Sequence, residues 1–437
     1  MKLNAIADIE STTALSLWLP GFCETGSQNV APILGASRFG GRFGFNPFEL
    51  YRDGVISNPN AFVFGQVGKG KSALLKSYLA RMFLLGYPSV VFDPKGEYGA
   101  LARFFGFDPI DYLASKRGVN PFVEVEGAPN GLLARELNSE MATYVISVAL
   151  GRRPTEIEHL AISEALNEIT RGVDFFKLRS CLEKIDRSGG PTTWRGSYSI
   201  GSLASLLAVL DSLIESGLVA QSESSFDLGK VLGKSILVFD LSGLFGSGRY
   251  PLVVALLLGA LRAHKMTRDL PPLIIAIDEI WALMSDSNIA SWLGSYWKLS
   301  RGIGIANIGV SHRLSDFSGG DDVGAHLKSQ SLNSSTNYSN GPNRTVISEI
   351  NRGLGMINDT ETIVSFALEV DEAHHLCSAF GFSLEVAPLL RQLRKGSALW
   401  KIGERNLLVD HYLTSIETAL FNTDAPLLGR GARARPN

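Results

Sequence analysis

The sequence predicts an α/β fold, in which a mostly parallel sheet is covered by helices and interrupted by a mostly helical insertion. Short apolar strands recur along the chain, and such strands are typical of parallel sheets that are buried on both faces. A strand–loop–helix–strand unit lies in the first quarter, and a block with only helical periodicity follows it. The chain has 437 residues, 45% apolar and 19% charged, so it can bury a large core.

The first strand–helix–strand unit spans residues 61–93. Residues 61–64 (AFVF) suit a buried strand, and residues 73–83 have helical periodicity without Gly or Pro. Residues 89–93 (SVVFD) form the second strand. Because the helix crosses over between two strands of one sheet, these strands are predicted to be parallel.

The loop between the first strand and its helix, Gly65–Ser72, has the pattern G-x-x-x-x-G-K-S. Glycines let backbone N–H groups turn inward around phosphate oxygens, and the helix that follows adds a partial positive charge. Lys71 is predicted to reach the β- and γ-phosphates of a nucleotide, and the Ser72 hydroxyl to bind Mg²⁺. The chain holds 45 Gly, so a chance match is the alternative, but the flanking strand and helix favour a phosphate site. The predicted binding positions are Gly65, Gln66, Val67, Gly68, Lys69, Gly70, Lys71, Ser72 and Ala73.

Apolar residues at helical spacing, with no convincing strand, characterise the block from residue 130 to about 225. The predicted helices are 136–150, 156–170, 174–185 and 202–216. We therefore expect an N-terminal segment of loops and short strands (1–55), a first core part (56–125), a helical insertion (126–228), a second core part (229–425) and a disordered tail (426–437).

The second core part alternates strands with helices and ends in a hairpin. The predicted elements are strands at 235–241, 272–277 and 303–312, helices at 251–265 and 288–300, and hairpin strands at 397–403 and 406–411. The most apolar long run, 251–261, is too short for a bilayer, which needs about 20 residues. It therefore predicts a buried helix, and the sequence predicts no intrinsic membrane span.

Two acids, Asp278 and Glu279, follow the apolar residues 274–277. An acid at the end of a buried strand can hold Mg²⁺ through water, and Asp278 fits that role. Glu279 is placed to polarise an attacking water as a general base. The alternative is a strand end that meets solvent, but two buried carboxylates without a metal or donors would be costly.

Polar residues also follow two other predicted strands. The carboxyl ends of parallel strands share one edge of the sheet, so Asp93 and Glu97 are expected near the nucleotide. The alternative for them is an ordinary turn with an acidic helix cap. His312 ends the strand after the acid pair, where it either senses the γ-phosphate or is a satisfied histidine at the sheet edge.

The combined motifs resemble those of the HerA–FtsK superfamily of hexameric motor ATPases. Within it, the chain looks like the ATPase module of conjugation and type IV secretion ATPases. The most specific matches are residues 93–98 (DPKGEY) and 276–281 (AIDEIW). Residues 396–403 and 417–424 also look like that family, so the resemblance covers about residues 45–425.

The sequence departs from the family pattern in two places. Ser311-His312 stands where the family often has a Thr-Gln pair, so the resemblance does not by itself assign the γ-phosphate sensor role to His312. Large family members also carry a long N-terminal domain, whereas only about 55 residues precede the P-loop region here. We expect either a naturally short member or a fragment.

The resemblance implies a RecA-like core that binds ATP and Mg²⁺ and hydrolyses ATP within a ring, most simply a homo-hexamer. It implies work in the cytoplasm at the inner face of the cell membrane, where inner-membrane secretion or conjugation machinery would hold the protein. It also implies an arginine finger that reaches a neighbouring subunit's nucleotide. Arg301 is the first candidate, and the others are Arg313, Arg344 and Arg405.

Several alternatives remain. A DNA translocase or coupling protein of the same superfamily would bind DNA directly, although a net charge of −2 gives no global basic field. An ATP-binding scaffold without turnover would not need both Asp278 and Glu279. A GTPase is not supported, because the sequence has no N-K-x-D guanine-reading motif. The three cysteines lie far apart without a C-x-x-C pattern, which indicates neither a zinc site nor a disulfide framework and fits a reducing cytosol.

Overall fold

The computed structural model describes residues 30–112, 118–124, 131–222, 228, 232–284, 287–317, 356–357 and 359–421. Their strands form one sheet of 11 strands. The strands are β1 (Ile33–Ser37), β2 (Arg42–Gly44), β3 (Ala61–Phe64), β4 (Ser89–Asp93), β5 (Ile110–Asp111), β6 (Ile236–Asp240), β7 (Leu273–Ile277), β8 (Ile305–Ser311), β9 (Thr362–Ser365), β10 (Ser397–Ile402) and β11 (Arg405–His411).

The sheet has a parallel part and an antiparallel part. The strand order is β2-β1-β11-β10-β9-β3-β8-β7-β4-β6-β5. From β9 to β5 all neighbours are parallel, whereas β10, β11, β1 and β2 add an antiparallel edge. The predicted α/β class is therefore confirmed, and the carboxyl ends of β3, β8, β7 and β4 lie side by side.

Helices cover both faces of the parallel part. They are α1 (Pro47–Arg52), α2 (Lys71–Leu84), α3 (Gly99–Phe104), α4 (Gly131–Leu150), α5 (Glu156–Glu168), α6 (Phe175–Arg187), α7 (Ala204–Glu215), α8 (Arg249–Thr267), α9 (Trp281–Met284), α10 (Ser287–Ser300), α11 (Val370–Phe380), α12 (Val386–Gln392) and α13 (Ser415–Phe421). Short 3₁₀ turns occur at Arg301–Ile303 and Ser315–Phe317.

Alternate residues of each strand enter two separate hydrophobic cores, because successive side chains point to opposite faces of a sheet. Phe62 and Phe64 of β3 face the core that includes the insertion helices α4–α7 together with α8 and α10. Ala61 and Val63 face the other core, with α2 and α3. The helical insertion therefore packs on the face of the sheet opposite to the P-loop helix.

The predicted elements agree with the structure where the sequence pattern is strong. β3 and β4 match to the residue, and the late hairpin is confirmed as β10 and β11. Four helices occupy the insertion, and its described residues show only one β contact, an isolated bridge between Val119 and Val219.

Other elements were missed. β5 and β9 are short strands without a distinct pattern, and α11 and α12 are short helices that the periodicity did not reveal. The division into domains stays a prediction, and the tail, Cys23 and Arg344 lie outside the described residues. None of the described helices is long and apolar enough to cross a membrane.

Candidate nucleotide-binding site

The loop Gly65–Ser72 leaves the carboxyl end of β3 and enters α2, as the sequence predicted. Its glycines Gly65, Gly68 and Gly70 have φ values of 150°, 77° and 113°, in the region that side chains rarely adopt. A Cβ on Gly65 would lie 2.6 Å from the Cβ of Phe366, so this position has no room for a side chain.

The loop is held on both sides by segments distant in sequence. The Gln66 N–H donates to the Ala367 carbonyl at 2.9 Å, just after β9, and the Gln66 side chain contacts Glu369. On the other side the Gly396 N–H donates to the Lys69 carbonyl at 3.0 Å, just before β10. The P-loop is therefore fixed between β9 and the hairpin.

The Lys71 side chain is buried and folds back over the loop. Its ammonium donates to the carbonyls of Gly65 and Gln66, the latter at 3.0 Å, and lies 2.9 Å from Nδ1 of His312. Burial lowers its pKa to about 8, although nearby Glu279 and Asp278 counteract that effect. A phosphate at the loop would give this ammonium the counter-charge that two carbonyls cannot provide.

Asp278 follows β7 and is almost fully buried. One of its oxygens accepts the Glu279 N–H at 3.0 Å, and the other accepts the Tyr98 hydroxyl at 3.1 Å. Burial and the neighbouring charge of Glu279 raise the pKa of Asp278 to about 6. A cation placed near Asp278 would offset both costs.

Glu279 has the one positive φ, 50°, among the described non-glycine residues, and backbone strain of this kind clusters at functional sites. Its Oε1 contacts the Lys95 ammonium and lies 2.8 Å from Nε2 of His312. Its Oε2 accepts the indole N–H of Trp281. Burial alone would raise the pKa of Glu279, but hydrogen bonds from these three side chains lower it to about 2.

His312 joins the P-loop to the acid pair. It follows β8, which lies between β3 and β7 in the sheet. One ring nitrogen faces Lys71 and the other faces Glu279. The structure thus brings together Lys71, His312 and Glu279, which the sequence predicted separately.

The turn after β4 is shaped by Asp93. This side chain is fully buried, and its carboxylate accepts the backbone N–H groups of Lys95, Glu97 and Tyr98 at 2.8 to 3.2 Å. Asp93 therefore supports the turn, which was the alternative to a direct nucleotide contact. The Glu97 carboxylate lies 3.9 Å from the ammonium of the buried Lys76.

Sequence analysis gave no role to Lys95, Tyr98 or Trp281, which touch the acid pair directly. All three lie within residues 93–98 or 276–281, the two segments that match the family most specifically. Their position in these segments is the sequence feature that could have pointed to them. A cleft of about 540 Å³ opens beside Trp281 and is also lined by His312 and Gln66, among others.

Comparisons with known proteins agree with this geometry. Residues 51–261 match the family model described as Helicase HerA, central domain. The fold is similar to VirB4 of Thermoanaerobacter pseudethanolicus, with 20% identity, a TM-score of 0.62, and coverage of 90% of this chain and 100% of that chain. The match of residues 51–261 agrees with the resemblance to the HerA–FtsK superfamily, and the similarity to VirB4 shows the fold.

Other solved structures share this fold. The bacterial conjugative coupling protein TrwBΔN70 is 14% identical, with a TM-score of 0.53 and coverage of 89% of this chain and 90% of that chain. Plasmid coupling protein TrwB in complex with the GTP analogue GDPNP is 15% identical, with a TM-score of 0.51 and coverage of 82% and 86%. No curated protein matches the sequence significantly.

The predicted arginine-finger candidates are spread over the structure. Arg301 precedes β8, at the sheet edge opposite the P-loop, and donates to the Ser57 carbonyl at 2.9 Å. Arg313 follows His312 and lines the cleft. Arg405 begins β11, and Arg344 lies outside the described residues. The structure does not bring Arg301 into its own chain's phosphate site.

The residues at the P-loop fit a magnesium ion that arrives with a nucleotide. No group of three or more His, Cys, Asp or Glu residues in the described parts of the chain could hold a metal alone. Mg²⁺ in nucleotide sites takes one or two protein oxygens together with water and phosphate oxygens. Ser72 makes no side-chain hydrogen bond with the described residues, and Asp278 lies buried beside Lys71. These two side chains would hold the ion.

Proposed function

We propose that this chain binds ATP with Mg²⁺ at Gly65–Ala73 and hydrolyses it. The observation that carries the proposal is the convergence of a P-loop lysine, Lys71, with Asp278 and Glu279 through His312. Phosphoryl transfer needs positioning and charge neutralisation more than covalent chemistry by the protein, and these side chains provide both.

Each side chain has a distinct task in the proposed reaction. The P-loop N–H groups and Lys71 hold the β- and γ-phosphates, while bound Mg²⁺ supplies further charge neutralisation. Glu279 orients the attacking water and accepts its proton. His312 lies between Lys71 and Glu279, so it can report the presence of the γ-phosphate to the general base.

We further propose that the chain works as a ring, most simply a hexamer, with an arginine from a neighbouring subunit. Arg301 stays the first candidate, since it lies away from its own phosphate site. The likeness to VirB4 over nearly the whole chain supports a motor that energises transfer through a type IV secretion or conjugation apparatus at the inner face of the membrane. The second candidate is a coupling protein that moves DNA, which the similarity to TrwB supports.

ATPase rate against protein concentration, with and without double-stranded DNA, tests both candidates. A rate per subunit that rises with concentration and ignores DNA supports the secretion ATPase, whereas strong stimulation by DNA supports the coupling protein. Lys71→Ala should abolish turnover, and Glu279→Gln should keep nucleotide binding but stop hydrolysis. Lys298→Ala, at an exposed lysine paired with Asp359, is the control and should keep the parent rate.

Turnover at the parent rate in Glu279→Gln would remove Glu279 from the role of general base. Absence of turnover at every concentration, with nucleotide binding intact, would favour the ATP-binding scaffold instead.

A further inference from the structure

Glu279 is held by three donors. Lys95 and His312 share Oε1, and Trp281 occupies Oε2. The Glu279 side chain is only 3% exposed. Three of the roughly four lone-pair sites of this carboxylate are taken, so departure of one donor would open a further site to the water that a general base must orient.

Lys95 is the donor best suited to move. Its backbone is fixed, because its N–H donates to Asp93 at 3.2 Å in the turn after β4. Its side chain is 36% exposed, more than that of His312 at 27%. A lysine ammonium on a flexible stem can exchange one anionic partner for another without demanding a fixed geometry.

Lys95 is also linked to the P-loop lysine through two side chains. Its ammonium shares Oε1 of Glu279 with His312, and the other nitrogen of that imidazole is 2.9 Å from the Lys71 ammonium. The charge of Lys95 contributes to lowering the pKa of Lys71, which also indicates that the two cations are near one another. Lys71 and Lys95 thus lie on either side of the linked pair His312 and Glu279.

We propose that Lys95 is a second phosphate-binding lysine, which bonds Glu279 in the nucleotide-free chain and moves to the γ-phosphate when a nucleoside triphosphate binds. The move opens one lone pair of Oε1, which His312 still contacts, to the attacking water. The γ-phosphate attracts the ammonium more strongly than a single carboxylate does, because it carries more charge and more acceptor oxygens. This inference rests on the proposed nucleotide binding and adds a residue to it.

A γ-phosphate-binding role of Lys95 can be distinguished from a structural role by comparing the affinities for a nucleoside triphosphate and a nucleoside diphosphate. A lysine that binds only the γ-phosphate strengthens the binding of ATP and leaves the binding of ADP unchanged. A lysine that only supports the turn or Glu279 changes both affinities alike. The ratio of the two affinities is therefore the decisive measurement.

The experiment measures the affinity of the full chain, with Mg²⁺, for ADP and for the non-hydrolysable ATP analogue adenylyl imidodiphosphate. In Lys95→Met we expect the affinity for the analogue to fall about tenfold to a hundredfold, as for the loss of one charge-assisted hydrogen bond, and that for ADP to change less than about twofold. Lys95→Arg should recover most of the loss. Lys298→Met is the matched control on an exposed, ion-paired lysine.

Equal changes for both nucleotides in Lys95→Met would overturn the inference while leaving nucleotide binding established. A parent chain that binds neither nucleotide would overturn the proposed function and this inference with it. The two failures are therefore distinguishable.

Trp281 fluorescence gives a second measurement that needs no change at Lys95. Its indole donates to Glu279, so departure of the Lys95 ammonium from the same carboxylate should alter its emission. We expect a change on adding the analogue but not on adding ADP, and loss of that change in Trp281→Phe. The same change with both nucleotides would contradict the inference.

Discussion

Replacing each acid of the pair by its amide should shift stability in opposite directions. Asp278→Asn is expected to stabilise the nucleotide-free chain at pH 7.5, and Glu279→Gln to destabilise it. The reason is that burial raises the pKa of Asp278 to about 6, whereas donors lower the pKa of Glu279 to about 2. A raised carboxyl pKa means that the charged form destabilises the folded state, and a lowered pKa means the reverse.

The magnitude for Asp278 follows from its pKa. The rise from 3.8 to about 6 corresponds to about 3 kcal/mol against the charged folded state. An amide offers one acceptor oxygen where the carboxylate accepts both Tyr98 and Glu279, so one buried hydrogen bond is lost at a cost of about 1 to 1.5 kcal/mol. The net stabilisation by Asp278→Asn should be about 1.5 kcal/mol.

Glu279→Gln removes favourable contacts with Lys95 and His312. The fall in pKa from 4.5 to about 2 would give about 3 kcal/mol as an upper bound. Because Lys95 is partly exposed and solvent screens its charge, we expect a destabilisation of about 1 to 2 kcal/mol.

The pH dependence distinguishes the two effects. The penalty on Asp278 is complete above about pH 6, falls to about half near pH 5 and is gone below its unfolded pKa of 3.8. The stabilisation from Glu279 is complete above its unfolded pKa of 4.5 and is lost only as the pH falls towards 2. Moving from pH 7.5 to pH 5 should therefore erase most of the advantage of Asp278→Asn and leave the loss in Glu279→Gln nearly unchanged.

The assay is urea unfolding in EDTA without nucleotide, at pH 7.5 and pH 5. Glu404→Gln, at an exposed carboxylate in the turn between β10 and β11, is the control and should not change the midpoint. A destabilised Asp278→Asn at pH 7.5, or an advantage that persists at pH 5, would refute the electrostatic reasoning.

Three further substitutions, each measured by urea unfolding at pH 7.5, test residues that hold the P-loop and its neighbouring strands and helices in place. Gly65→Ala should cost about 1 to 3 kcal/mol and weaken nucleotide binding, because its φ is 150° and the new Cβ meets Phe366; normal binding would contradict this. Glu417→Gln should cost about 1 to 2 kcal/mol by weakening the contact with Arg81. Since that contact lowers the pKa of Glu417 against the effect of burial, the difference should shrink as the pH falls below the ordinary pKa of 4.5. Asn60→Ala should cost about 2 to 4 kcal/mol, because this fully buried amide bonds the backbone next to β3 to neighbouring elements, and a loss under 1 kcal/mol would argue against that role.

The P-loop, the acid pair and most core strands could be predicted from local sequence. Gly65–Ser72 needs a particular backbone conformation, and only a glycine-rich pattern followed by a helix provides it. The apolar residues 274–277 predict a buried strand, which places Asp278 at its carboxyl end. The insertion helices were visible because their periodicity is local.

Only the tertiary structure decided which of these groups meet. His312 lies between Lys71 and Glu279 because β8 inserts between β3 and β7, and strand order depends on packing over the whole sheet. Likewise the Asp93 carboxylate accepts a backbone N–H group of its own turn, whereas the Lys95 ammonium contacts Glu279, which is distant in sequence. A sequence specifies local conformation through each residue's own preferences, but contacts between distant side chains depend on how strands pair, and no single segment encodes that pairing.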